Sequence, residues 1–178
     1  MAEEKKEAWV SYLALTTVIF AVCATLSTFK GGGFSTRSVM SQAQASDKWA
    51  FFQAKSTKEN LYRLQKENLE LEVSVLSKST EEEILARYKV AIKKCEENIA
   101  KYEEEKSKIH VEAKALEEQR DDAQRHGKPF GLAIIFLQVA ILLSSISGLI
   151  KRKTLWYLAI PVGLVGILFF ANGFFLFL

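Results

Sequence analysis

The sequence predicts an all-α membrane protein: three transmembrane helices, with a long antiparallel coiled-coil hairpin inserted between the first and second. Three observations carry this. Three apolar stretches lack charged side chains and are each long enough to cross a bilayer. Between the first and second lies a segment rich in Ala, Glu, Lys, Leu and Gln, with no Gly or Pro from Ser38 to Arg125. That segment repeats uncharged residues at heptad spacing.

The global averages hide this division. The chain is 49% hydrophobic and 25% charged, with net charge +3. Residues 30–128 hold 19 of the 24 Lys and Arg and 18 of the 21 Asp and Glu. The insert is therefore close to neutral. No basic excess marks a nucleic-acid surface, so nucleic acid is excluded as a partner.

After a cytoplasmic N-terminus at 1–8, the first transmembrane helix spans 9–29, with Trp9 and Tyr12 suited to one interface. Lys5 and Lys6 could open a signal peptide, but the apolar run is too long, so an uncleaved anchor is expected. The second transmembrane helix is placed at 129–150 and the third at 155–178. The basic loop 151–154 joins them, too short for anything but a tight antiparallel turn. Pro161 kinks the third helix or is absorbed near its start. Small residues suggest helix–helix contact faces: Thr17, Ala21 and Thr25 in the first helix, Ser144 and Gly148 in the second, Gly163 and Gly166 in the third.

Lys151-Arg152-Lys153 is short, basic and without acids, which places this loop in the cytoplasm with the N-terminus. The insert and the C-terminus then fall on the outer side. Lys30, Arg37, Lys48, Arg120, Arg125 and Lys128 near the insert's ends point the other way, but long inserts translocate largely regardless of charge.

Gly31-Gly32-Gly33 predicts a flexible Gly-rich linker over 30–40. The hairpin occupies 41–126, as helices at about 41–77 and 81–125. Thr80 with Glu83 forms a capping box between them. In the second helix the a and d positions are Leu85, Tyr88, Ile92, Cys95, Ile99, Tyr102, Lys106, Ile109, Ala113, Leu116, Arg120 and Ala123, ten of them uncharged. The first helix offers the seam Leu61, Leu64, Asn68, Leu71 and Val75, with Asn68 able to fix register. Gly127 and Pro129 predict a stop and a fresh start before the second transmembrane helix. Two laterally spread amphipathic helices remain the alternative to the hairpin.

Trp49, Phe52, Gln53 and Ser56 share a helical face at i, i+3, i+4 and i+7, beside Lys55 and Lys58. This is either a packed helix base near the membrane or a contact site for lipid head groups or a neighbouring subunit. Tyr88 and Tyr102, with Trp49, Phe51 and Phe52, exceed what one narrow hairpin hides, which points to homo-oligomerisation. Inside the bilayer Gln138 and Asn172 are the most polar groups, with interhelical hydrogen bonding as their ordinary role. The candidate interface is thus Trp49, Phe52, Gln53, Ser56, Asn68, Tyr88, Tyr102, Gln138, Ser144 and Gly148.

Residues 46–58, Ser-Asp-Lys-Trp-Ala-Phe-Phe-Gln-Ala-Lys-Ser-Thr-Lys, resemble a signature of bacterial membrane proteins grouped as domain-of-unknown-function family 4337. Leu137-Gln138-Val139-Ala140-Ile141, Ser144-Ser145-Ile146 and Lys151 through Tyr157 resemble the same family's last two helices. Phe52 stands where the family usually has Tyr. The resemblance covers nearly the whole chain and implies a bacterial inner-membrane protein, without an activity or catalytic residues.

Other chemistry finds little support. His110 and His126 lie 16 apart without a Cys at ligand spacing. Cys23 and Cys95 read as free thiols, one at bilayer depth. The glutamate runs 81–83 and 103–105 read as solvated faces. No nucleophile motif or phosphate-binding loop occurs. The expectation is no catalytic site, no cofactor and no metal. The leading functional expectation is a homo-oligomeric structural or scaffolding protein in contact with membrane lipid. An oligomeric channel or transport accessory is the runner-up, and a helper subunit of a larger membrane complex the third.

Overall fold

The structure, a computed structural model, describes residues 2–76 and 82–177. They form three α-helices, α1 (Ala2–Val75), α2 (Glu82–Ile150) and α3 (Lys153–Phe175). All three are long and apolar enough to cross a membrane. The expected capping box at Thr80 and the ends of the helices beside it lie outside the described residues.

Two expected interruptions are absent. Residues 30–40 form a continuous part of α1, not a linker, and α2 runs through Gly127 and Pro129. The glycines serve close approach instead of flexibility. A Cβ on Gly31 would lie 3.0 Å from Phe130 Cβ, and one on Gly127 would lie 3.6 Å from Phe34 Cβ. Each glycine thus receives the phenylalanine of the facing helix, and the two rings stack with centroids 5.9 Å apart. Pro129 is buried beside Phe130, and tertiary packing outweighs the hydrogen bond that its missing N–H costs the helix.

The chain forms two compact units, Met1–Met40 with Gln119–Leu178, and Ser41–Glu118. The first packs parts of all three helices around Phe20, Ala133, Leu137 and Ala140. Glycines on α3 make this possible. Phe20 fills the space where a Cβ on Gly163 would stand, and Cβ atoms on Gly166 and Gly173 would lie 2.7 Å from Leu137 and Phe130. Gly163 and Gly166 thus mark a contact face, as their sequence suggested. Pro161 sits within α3, after its first turns.

On α1 the expected face differs. Ala21 and Thr25 are exposed, and the facing residues are Thr17, Ala24, Ser27 and Gly31. Thr25 and Ser27 donate to the carbonyls of Ala21 and Cys23, so neither hydroxyl needs a second helix. Size decides: the small side chains that matter are those opposite Phe130 and the core rings.

The turn between α2 and α3 is tighter than the four residues expected. Lys151 takes a left-handed φ of 55°. Buried Ser147 closes the turn by donating to the Arg152 carbonyl at 2.6 Å, while its own carbonyl accepts the Arg152 N–H at 3.3 Å. Around it Trp9 and Trp156 lie 6.5 Å apart, Lys153 sits over Trp9, and Trp156 Nε1 donates to Thr16 Oγ1.

Candidate functional site: the charged seam of the second unit

In Ser41–Glu118 the helices meet along one stripe each. On α2 each of the ten expected a and d positions that fall in this unit, from Leu85 to Leu116, is buried or half-buried. On α1 the expected seam is wrong. Leu61, Leu64, Asn68, Leu71 and Val75 are all exposed, with Leu61 at 60% and Val75 at 84%. The residues turned toward α2 include Ala45, Lys48, Phe52, Lys55, Glu59, Tyr62, Lys66 and Leu69, also spaced alternately by three and four.

Lysine works in such a seam because its stem is apolar and its ammonium can reach past the stripe. Lys48 pairs with Glu112 at 2.5 Å, Lys55 with Glu105 at 2.6 Å and Lys66 with Glu96 at 2.7 Å. As the lysines ascend α1, the glutamates descend α2. Lys48 and Lys55 are one heptad apart, and so are Glu112 and Glu105. Tyr62 stacks on Tyr102 at 5.8 Å, and Lys55 lies over the Tyr102 ring at 5.3 Å.

Lys106, a charged break in the α2 stripe, is matched by Glu59, a charged break in the α1 stripe. Glu59 is only 4% exposed and also accepts from Arg63 Nε at 2.9 Å. The Lys106 ammonium holds its carboxyl below the usual range, and Arg63 adds to this against the opposing effect of burial. Lys55 does the same for Glu105. Tyr88 is bound to Glu72, which pushes its hydroxyl above the ordinary tyrosine range.

The Trp49 face is assembled in part. Trp49 packs edge-on against Phe52 at 5.6 Å and His110 at 5.4 Å, and its Nε1 donates to Glu117 Oε1 at 2.9 Å. Lys106 lies over Phe52 and Lys114 over Trp49. Phe52 therefore works through its ring alone. Ser56 is half-buried, whereas Gln53 points outward.

In the first unit Ser144 and Gly148 face inward, Gly148 toward Leu13, and Ser144 Oγ is buried without a hydrogen-bond partner among the described residues. Gln138 is exposed, whereas Asn172 is buried. His126 Nδ1 lies 2.8 Å from the Gly173 carbonyl oxygen and stacks on Phe34, an anchor for the end of α3 that sequence reading left aside. Among the described residues no three His, Cys, Asp or Glu groups converge as metal ligands.

The family model for DUF4337, a domain of unknown function, matches residues 9–176. The chain belongs to DUF4337. No curated protein and no solved structure matches it. The DUF4337 match takes in both the apolar helices and the charged seam, so the family description covers the two units together.

Sequence reasoning did not place Lys48, Lys55, Glu59 and Lys66 in the seam. Their signal was available as a second heptad, offset from the leucines, whose charges find opposite charges at 112, 105, 106 and 96 on α2.

Proposed function

We propose that this DUF4337 chain is a multi-pass protein of the bacterial inner membrane that works as a homo-oligomeric structural or scaffolding element. Its second unit is an antiparallel coiled-coil hairpin displayed on the periplasmic side. The observation that carries this is the seam itself: two heptad stripes whose Lys–Glu pairs run in opposite directions along α1 and α2. Such a seam builds a stiff, water-compatible rod.

The membrane reading is supported by the three apolar helices. It is supported also by the Trp9–Trp156–Lys153 cluster, an aromatic and basic pairing typical of an interface. Lys151 and Arg152 beside it favour the cytoplasmic side for that end.

Mass photometry of the full chain in lipid nanodiscs tests the reading. Assemblies of two or more chains are expected; a monodisperse monomer contradicts it. For orientation, a membrane-impermeant maleimide should label Ser107→Cys in intact spheroplasts. Labelling only after lysis would place the hairpin in the cytoplasm.

A further inference from the structure

The leucines that fail to face α2 form a stripe of their own. Two residues beyond each seam position, about 200° round the helix, lie ten positions from Ala43 to Val75, spaced alternately by four and three. All ten are exposed, and only Asp47 is charged. Ala50 and Ala54 form its narrow half, and Leu61, Leu64, Leu71 and Val75 its broad half. The equivalent stripe on α2, ten positions from Arg87 to Glu118, is also fully exposed, and seven of its residues are charged. One outer face of this unit is therefore built for water and the other for protein.

We infer that the outer stripe of α1 is the surface on which a second copy of this chain docks, α1 against α1, parallel and in register. This rests on the homo-oligomeric reading above and locates its interface. The occupant follows from three properties. First, copies inserted in one membrane share one orientation, so neighbouring α1 helices run the same way. Second, in parallel register Asn68 meets its own counterpart, and two carboxamides satisfy each other as donor and acceptor. An antiparallel or shifted pairing sets Asn68 against an aliphatic layer. Third, the flanking positions Asn60 and Gln65 meet across a parallel pair as two uncharged amides, and Gln53 meets Lys58, whereas Glu67 meets Glu72 and opposes the pairing there. Ala50 and Ala54 let the backbones approach closely, and confinement to one membrane raises the effective concentration. Asp47, facing its own counterpart, opposes the pairing.

Disulfide cross-linking of the full chain in native membranes tests this, in a background with Cys23→Ala and Cys95→Ala. Asn68→Cys should give a covalent dimer on mild oxidation. Glu97→Cys, on the charged face of α2, should stay monomeric. In the otherwise native chain Leu64→Lys should shift the nanodisc mass distribution toward monomer, and Asp47→Ala should shift it toward the assembly. No dimer from Asn68→Cys, or an equal yield from Glu97→Cys, overturns the inference. If the native chain still forms assemblies in that case, the homo-oligomeric reading stands and only this interface is wrong. If the native chain is a monomer, both fail.

Discussion

The tip of the Phe20 ring occupies the space where a side chain on Gly163 would begin. Both residues lie in the first unit, and Phe20 belongs to its core cluster. Gly163→Ala therefore overpacks this contact and should lower stability by about 1–3 kcal/mol. Phe20→Leu in the same chain should recover part of the loss. Thermal unfolding in mild detergent, followed by circular dichroism, checks both; an unchanged melting temperature for Gly163→Ala would show that the ring moves aside freely.

The glycines of 31–33 should respond unequally. A Cβ on Gly32 or Gly33 meets nothing within 4 Å, so Gly32→Ala and Gly33→Ala should each stabilise α1 by about 0.5–1 kcal/mol. Gly31→Ala brings its Cβ to 3.0 Å from Phe130 and should lose that gain or reverse it. If all three behave alike, or if alanine destabilises at 32 and 33, the segment is not the continuous helix described here.

Glu59 makes the second unit sensitive to acid. Lys106 and Arg63 depress its folded-state pKa below the ordinary 4.5, so its contribution is fully present above that pH. The contribution falls away as pH drops through the depressed value, because the unfolded chain then binds more protons. Glu105 acts in the same direction. Glu59→Gln should lower the melting temperature at pH 7 and flatten its decline below about pH 4.5. Lys106→Met alone leaves the buried Glu59 carboxylate with Arg63 but without its main cation, and should cost more than the pair Lys106→Met with Glu59→Gln. Additive losses would show that the two side chains act independently.

Lys151 carries a left-handed backbone that an L side chain disfavours by roughly 1–2 kcal/mol. Lys151→Gly should raise thermal stability by about that amount. Ser147→Ala, which removes the bond to the Arg152 carbonyl, should lower it by about 1 kcal/mol. Melting curves of the two variants in one detergent give the comparison directly.

Much of the fold was legible because composition and period are read from single residues. The absence of charge in 9–29, 129–150 and 155–178 fixes three apolar helices, and the α2 heptad is visible because ten of its twelve positions are uncharged. The α1 seam was not legible for the opposite reason. Its inward positions hold Lys48, Lys55, Glu59 and Lys66, whose suitability depends on partners at 112, 105, 106 and 96. A hydrophobic count therefore chose Leu61 to Val75, the outer face. Gly127 and Pro129 misled similarly: read locally they end a helix, and only the Phe34–Phe130 packing explains why α2 continues.

The register of α1 against α2 underlies the whole account, and a charge reversal at Lys55 and Glu105 tests it most directly. Lys55→Glu and Glu105→Lys should each lower the melting temperature of the full chain. Combined, they restore the opposite-charge contact and should recover most of the loss, short of the part Lys55 contributes over the Phe51 and Tyr102 rings. Losses that simply add in the double variant would show that the two residues do not meet, and the antiparallel seam would fall with them.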